Sequence, residues 1–406
     1  MNSACLSDFL EQKPLYYKEI DHVRVHSAYA LLKPQIKHPK TVHIVGTNGK
    51  GSTGRMIAHL AYLYGGGQVI HDSSLCDKSQ ITRPLSVGHY SSPHILKFNE
   101  RIWLDGSDVS DEVLESAHQK LFDILGKEMS ESLSYFEYTT LLAFVVFENC
   151  DLMVLEAGLG GEFDATNVCD KALSVITPIG IDHQAFLGDT IEEIATTKIR
   201  SIQKSVLLAP QVYKEVVEIA KKIAHDVGAD LYVCPRGNRQ VNPYGLQNIA
   251  KEKAWPDYLM ENAKVAMKAL NILEMPYEIN DLKTLKLFGR FYAFAENIRI
   301  DVGHNPLAAN AIVKALDKKV VLVYNSLDDK AYEEVLALLK PKVKRVEIIP
   351  IQSQRATTLE EIECALDNVG LDYSTFNNTV NEDENYLVFG SFYVVEEFLK
   401  RMNVSK

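Results

Sequence analysis

Residues 41–60 read TVHIVGTNGKGSTGRMIAHL, and this order of apolar run, glycine-rich turn and helix-forming run decides the fold class. Val42 to Val45 has the unbroken apolar character of a buried strand, while Ser52 to Tyr64 carries apolar residues at helical spacing. The loop between them comprises Gly46, Thr47, Asn48, Gly49, Lys50, Gly51 and Ser52. Its glycines let backbone N–H groups approach phosphate oxygens, Lys50 sets a cation against the β and γ phosphates, and the helix N-terminus adds partial positive charge. Ser52 or Thr53 stands where a hydroxyl reaches a magnesium ion. The usual phosphate loop has Gly, four residues, then Gly-Lys-Ser/Thr. Here Ile44 holds the first glycine position and Gly51 intervenes before Ser52. A ligand-free glycine turn is the competing reading, and the strand–loop–helix setting argues against it.

Beyond this stretch, strand-like runs recur at Leu152–Leu155, Leu173–Thr177, Ser205–Ala209, Val320–Val323, Arg345–Ile349 and Asn385–Phe389. Between them, segments such as FEYTTLLAFVVFENC and AYEEVLALLKPKV show apolar spacing near three and four. The alternation predicts an α/β protein with mostly parallel sheets. We expect an N-terminal, P-loop ATPase-like domain over 1–275, a linker over 276–289 and a smaller Rossmann-like α/β domain over 290–406. The active site is expected in the cleft between the two, where strand C-terminal ends face each other.

With 406 residues and 46% hydrophobic content the chain can bury a sizeable core. No run of about 18 apolar residues is present, and residues 1–20 lack a basic region followed by an apolar one, so neither a membrane span nor a signal peptide is indicated. A cytoplasmic location is expected. The six cysteines contain no C-x-x-C pair, which disfavours a zinc site and a disulfide framework. A formal charge of −11 disfavours nucleic acid and anionic membrane as partners. Small-molecule substrates and a monomer are expected, with anions handled at local sites. Residues 65–85, GGGQVIHDSSLCDKSQITRPL, have the content of an exposed insertion.

Further segments accompany the loop: VGHYSSPHILKFNERI (87–102), SYFEYTTLLAF (134–144), EAGLGGEFDATN (156–167), ITPIGIDHQAFLGDTIEEIATTK (176–198) and IDVGHNP (300–306). Together they resemble the bacterial dihydrofolate synthase/folylpolyglutamate synthase family, relatives of the Mur peptide ligases, over nearly the whole chain. The resemblance implies an ATP-dependent ligase that converts a carboxylate into an acyl phosphate, whose phosphate is then displaced by the amine of L-glutamate. ATP and magnesium, at two sites, are the implied cofactors. Such chemistry needs a triphosphate cradle, cations to neutralise the transferring phosphoryl group and a pocket for the amino acid. The sequence singles out no residue for that last pocket.

Carried over position by position, the resemblance assigns metal ligation to Ser92, Glu156 and His183. A carboxylate leaving a buried strand beside a glycine turn suits magnesium, whereas imidazole is the less usual ligand for so hard a cation. Taken alone, His183 reads as a loop or core histidine; the surrounding motif reverses that reading. Lys50, Glu156, His183 and Lys198 are the implied catalytic group. Lys198 matches a lysine carried as a carbamate, which requires a site that depresses its pKa so the neutral amine can add CO₂. A lysine on a helix surface is the alternative, since the family's following Ala-Gly is Ile199-Arg200 here. Asn262, Arg290, Asp301 and His304 correspond to ATP contacts; helix-surface, linker and N-cap roles are the bland readings of the first three. For the pterin-bearing substrate the matching positions are Ser134, Tyr135, Phe136 and Glu137, and Phe163, Asp164 and Ala165. A flat heteroaromatic ring wants an aromatic face and polar groups at its edge. Tyr135 and Phe136 read equally well as core residues opening a helix.

The chain departs from the family pattern at Glu162, where an arginine is usual, at Val302-Gly303 in place of Gly-Ala, and at Leu259, where a glutamine is common. These positions bear on pterin and adenine contacts and leave the reaction type alone. A Mur-type ligase would need a further domain ahead of Thr41, for which 40 residues are too few. A non-catalytic nucleotide-binding relative would show loss of metal or phosphate residues, and only the neighbourhood of Lys198 departs in that way. That relative and a monofunctional folylpolyglutamate synthase are the alternatives.

Overall fold

The structure, a computed structural model, describes residues 5–14, 21, 23–65, 85–234 and 244–404. The expected insertion at 65–85 falls almost wholly outside these residues. The first half forms an eight-stranded sheet in the order β4-β3-β2-β5-β1-β6-β7-β8. Its strands are β1 (Lys40–Val45), β2 (Val87–Tyr90), β3 (Ile102–Leu104), β4 (Ser107–Asp108), β5 (Leu152–Glu156), β6 (Leu173–Ile176), β7 (Ser205–Leu208) and β8 (Asp230–Val233). From β2 to β8 all pairings are parallel; β3 and β4 extend one edge antiparallel.

Parallel strands are covered on both faces, which explains their unbroken apolar sequences. In β5, Leu152 and Val154 belong to one core with Met56, Ile57 and Leu60 of the helix Lys50–Gly65 and Ala263 and Ala266 of the helix Asp257–Ile272. Met153 and Leu155 point the other way into a core with Tyr138, Leu141 and Leu142 of the helix Tyr135–Val146. Each fully buried Leu or Met side chain contributes roughly 1.5–3 kcal/mol, so the helix that begins with the glycine loop is held by its whole apolar face. The sheet's order reverses around β1, which lies between β5 and β6, and the carboxyl ends of strands at such a reversal are where ligands bind.

The second half forms a six-stranded sheet, β13-β12-β11-β14-β10-β9. Its strands are β9 (Tyr292–Ala295), β10 (Ile298–Ile300), β11 (Val320–Tyr324), β12 (Val343–Ile348), β13 (Tyr373–Thr375) and β14 (Tyr386–Phe389), parallel except for β9. The seven strand runs read from the sequence match strands here to within one or two residues. Between the sheets, Leu282, Leu285 and Leu287 are buried in the core of the first sheet, so the segment expected as a linker packs on the N-terminal half through its apolar residues. Among the described residues no helix is long and apolar enough to cross a membrane.

Candidate active site

The loop after β1 is fixed by its own backbone. Gly46 has φ +150°, and a Cβ there would lie 2.0 Å from Thr177 Oγ1; Gly49 has φ +86°. Neither position accepts a side chain without strain. The N–H groups of Thr47 and Asn48 donate to Pro178 O at 2.9 and 3.1 Å, and the Thr47 hydroxyl exchanges hydrogen bonds with Gly180 at 3.0 Å. Lys50 Nζ donates to Gly46 O at 3.2 Å and Thr47 O at 3.4 Å, so the cation folds over the cradle it belongs to. Ser52 Oγ accepts from Asn262 Nδ2 at 2.8 Å. The amide expected to contact ATP therefore props the loop from the helix Asp257–Ile272.

Glu156 ends β5 facing this loop. Its Oε2 lies 3.1 Å from where a Cβ on Gly51 would sit and accepts from Ser92 N–H at 3.3 Å. Burial pushes its carboxyl up, and the charges of Lys50 and Arg290 oppose that shift. The opposition matters: in an apolar site the carboxylate form needs cations beside it. Lys198, expected at a helix surface or in a site that depresses its pKa, is buried, with Nζ donating to Gly46 O at 3.2 Å. Burial and the neighbouring Lys50 push its ammonium down to about 7.

The loop of the second sheet closes over the first. Asp182, immediately before His183, accepts from Lys330 Nζ at 2.6 Å and from Asn305 Nδ2 at 3.0 Å, and His304 Nε2 lies 3.5 Å away. This buried carboxylate is held well below the usual range by His304, His183 and Lys330, which outweigh its desolvation. The Asn305 and Asn48 amides pair across the cleft at 2.9–3.0 Å. Asn305, rather than Asp301, caps the helix Pro306–Ala315. Asp301 accepts from the N–H groups of Phe291 and Gly303 at 2.7 and 2.8 Å and from Tyr258 Oη at 2.9 Å, an arrangement that fixes the turn carrying Arg290.

These groups line one cavity of about 650 Å³. It takes in every residue expected to contact ATP or metal, together with Lys198 and, from the expected pterin set, Tyr135 alone. The rest of that set sits elsewhere. Ser134 and Glu137 form a capping box on the helix Tyr135–Val146, and Glu137 also pairs with Arg24 at 2.7 Å. Phe136 packs against Gly158 and the Tyr90 ring. Asp164 accepts from Leu159 N–H at 2.8 Å and from the Thr166 N–H and hydroxyl at 2.9 and 2.5 Å, which organises the turn itself. Ala165 is buried, while Phe163 is 52% exposed. Sequence reasoning passed over Asp182, Lys330, Asn305 and Arg101. Asp182, Asn305 and Arg101 lie inside the family-like segments and were open to notice; Lys330 follows no local pattern. Arg101 stacks on Tyr135 at 5.2 Å and donates to His94 Nδ1 at 2.9 Å, so His94 too lines the cavity.

Among the described residues no group of three or more His, Cys, Asp and Glu side chains is placed to hold a metal ion unaided. Ser92, Glu156 and His183 offer one hydroxyl, one carboxylate and one imidazole at the same cavity. That sparse set fits magnesium, whose remaining positions are filled by water and phosphate oxygens.

No protein-family model matches the chain. A dihydrofolate synthase/folylpolyglutamate synthase of Haemophilus influenzae is 30% identical over 418 residues, covering 89% of this chain and 88% of that protein. The crystal structure of Helicobacter pylori folylpolyglutamate synthetase is 38% identical, with a TM-score of 0.76 and 98% of each chain covered. A bifunctional folylpolyglutamate synthase/dihydrofolate synthase with Mn, AMPPNP and L-glutamate bound is 25% identical, with a TM-score of 0.79 and 99% of each chain covered. With such likeness running the length of both sheets, the chain belongs to the dihydrofolate synthase/folylpolyglutamate synthase family.

Proposed function

We propose that this protein joins L-glutamate to the carboxylate of dihydropteroate and to that of reduced folates, using ATP. The observation that carries the reading is the buried Glu156 carboxylate at the end of β5, flanked by Lys50 and Arg290 beside the glycine loop. A carboxylate acceptor is activated when one of its oxygens bonds to the γ phosphorus and ADP leaves. The amine nitrogen then bonds to the acyl carbon, the carbon–oxygen bond to phosphate breaks, and the ammonium sheds its extra protons.

In this scheme the loop N–H groups and Lys50 hold the triphosphate, and Arg290 approaches it from the second half. Ser92, Glu156 and His183 are the residues that would hold a divalent cation, which when bound would supply charge neutralisation for the phosphoryl group. Lys198 serves as a carbamate, an anionic oxygen donor near the second cation. Asp301 and His304 bring the C-terminal unit, 290–406, onto the N-terminal unit, 1–275, and exclude water from an acyl phosphate that would otherwise hydrolyse. Arg101 and Tyr135 offer a cationic and an aromatic face to the pterin-bearing substrate. The ligands are small molecules, and the protein acts as a monomer in the cytoplasm.

Product analysis tests this reading. ATP, magnesium and L-glutamate are supplied with dihydropteroate, with tetrahydrofolate or with neither, and the pterin products are weighed by mass spectrometry. One glutamyl residue gained on both substrates is expected; gain on tetrahydrofolate alone makes the enzyme a monofunctional folylpolyglutamate synthase, and gain on neither overturns the proposal.

A further inference from the structure

A second cavity, of about 590 Å³, adjoins the first and shares with it Gly51, Ser52, Ser92, Glu156, Arg290 and Phe392. It therefore opens where the acyl group is activated, and it runs back under the helix Lys50–Gly65 toward β2 and β3. Its distinctive group is Arg55. Arg55 Nε donates to His89 Nδ1 at 3.2 Å, and the guanidinium lies over the Trp103 ring, 5.0 Å from its centroid. Because His89 Nδ1 accepts, and burial pushes its imidazole well below the usual range, His89 is a neutral prop rather than a second charge. Among the described residues no carboxylate pairs with Arg55. Asp108, Glu100 and Glu156 act on it only through space, and burial pushes it down to about 10. The Arg55 side chain is thus clamped at Nε and on one face, and among the described residues its two terminal nitrogens have no hydrogen bond.

A sheltered guanidinium that no carboxylate among the described residues hydrogen-bonds is costly, and its planar fork matches a carboxylate with two parallel hydrogen bonds. On the proposed ligase reading, which this inference rests on, the carboxylate being activated is consumed at the first cavity. The remaining carboxylates belong to glutamyl groups. We infer that the Arg55 cavity binds a carboxylate of a glutamyl group, carried either by the incoming L-glutamate or by the tail already present on a folate. Trp103 and His89 are positioning residues for Arg55, and a cavity of this size accommodates one such group.

Steady-state kinetics of Arg55→Met separates the sources. If the cavity takes incoming L-glutamate, the KM for glutamate rises about tenfold or more with either pterin substrate while kcat changes little. If it takes the tail, the KM for tetrahydrofolate rises by that factor, and those for dihydropteroate and glutamate stay put. Arg55→Lys recovers part of either loss, since it keeps the charge and loses the fork. Unchanged KM values for all three substrates overturn the inference. Trp103 provides a readout that does not depend on that variant folding. In Trp255→Phe, Trp103 is the sole tryptophan, and its fluorescence should respond to saturating L-glutamate or γ-glutamylglutamate; no response to either overturns the inference. A wild-type enzyme that forms no glutamyl product defeats the ligase reading instead, and the two failures are distinguishable.

Discussion

Lys198 sits at 3% exposure between the glycine loop and Asp182, and its depressed ammonium is the residue-scale feature with the clearest consequence. With a folded pKa of about 7 against 10.5 for an ordinary lysine, the unfolded chain binds the extra proton between those pH values. The penalty for burying this lysine is therefore full below pH 7 and fades as pH rises through that window. Its neutral fraction grows over the same range, so carbamate formation under fixed ¹³CO₂ should increase from pH 6 to pH 8, measured as a carbamate carbon by ¹³C NMR. No such signal would contradict the modified-lysine role. Lys198→Ala should lose activity and regain part of it with added formate or acetate. Lys50→Ala and Glu156→Ala should each lower kcat by roughly 10²-fold or more with circular dichroism unchanged; full activity in either would count against the proposed site. Lys50 and Glu156 stand beside a glycine turn and a strand end that the sequence makes legible, whereas Arg290 was reached only through the family resemblance. The pairing of Asp182 with Lys330 was not legible, since 148 positions separate them and no periodicity encodes it.

At the scale of elements, the strand–loop–helix unit from β1 through Gly65 was fully readable, because apolar periodicity, glycines and a helix start all agree there. The loop's geometry makes a direct prediction. Gly49→Ala places a side chain at φ +86° and 3.0 Å from Asn262 Oδ1, a strain of about 1–3 kcal/mol borne by the segment that cradles phosphate. The affinity for an ATP analogue, measured by calorimetry, should fall more than tenfold while the melting temperature moves little. The segments 134–137 and 163–165 carry a structural use beside the expected one. Their residue types suit a flat ring, yet Ser134, Glu137 and Asp164 spend their hydrogen-bonding capacity on capping and turn formation. A serine three residues before a glutamate is as much a helix start as a binding motif, and only tertiary structure separates the two uses.

At the scale of the whole molecule, the two sheets meet through a small set of buried polar contacts centred on Asp182. The Lys330 side chain is buried beside it, so Asp182→Ala leaves that cation only the longer contact to Asp329 at 3.8 Å and should destabilise the protein by roughly 3 kcal/mol, read from urea unfolding. Loss of that tie should also raise ATP hydrolysis uncoupled from product, because the second half no longer seals the cleft. The α/β alternation was visible from the chain alone, but how the halves dock was not. The central claim is that a pterin-linked carboxylate is activated by phosphoryl transfer in this cleft. It is tested most directly by supplying dihydropteroate labelled with ¹⁸O in its carboxylate together with ATP, magnesium and L-glutamate. The account predicts that each phosphate released with the new amide carries one ¹⁸O from that carboxylate. Unlabelled phosphate accompanying amide formation would contradict it.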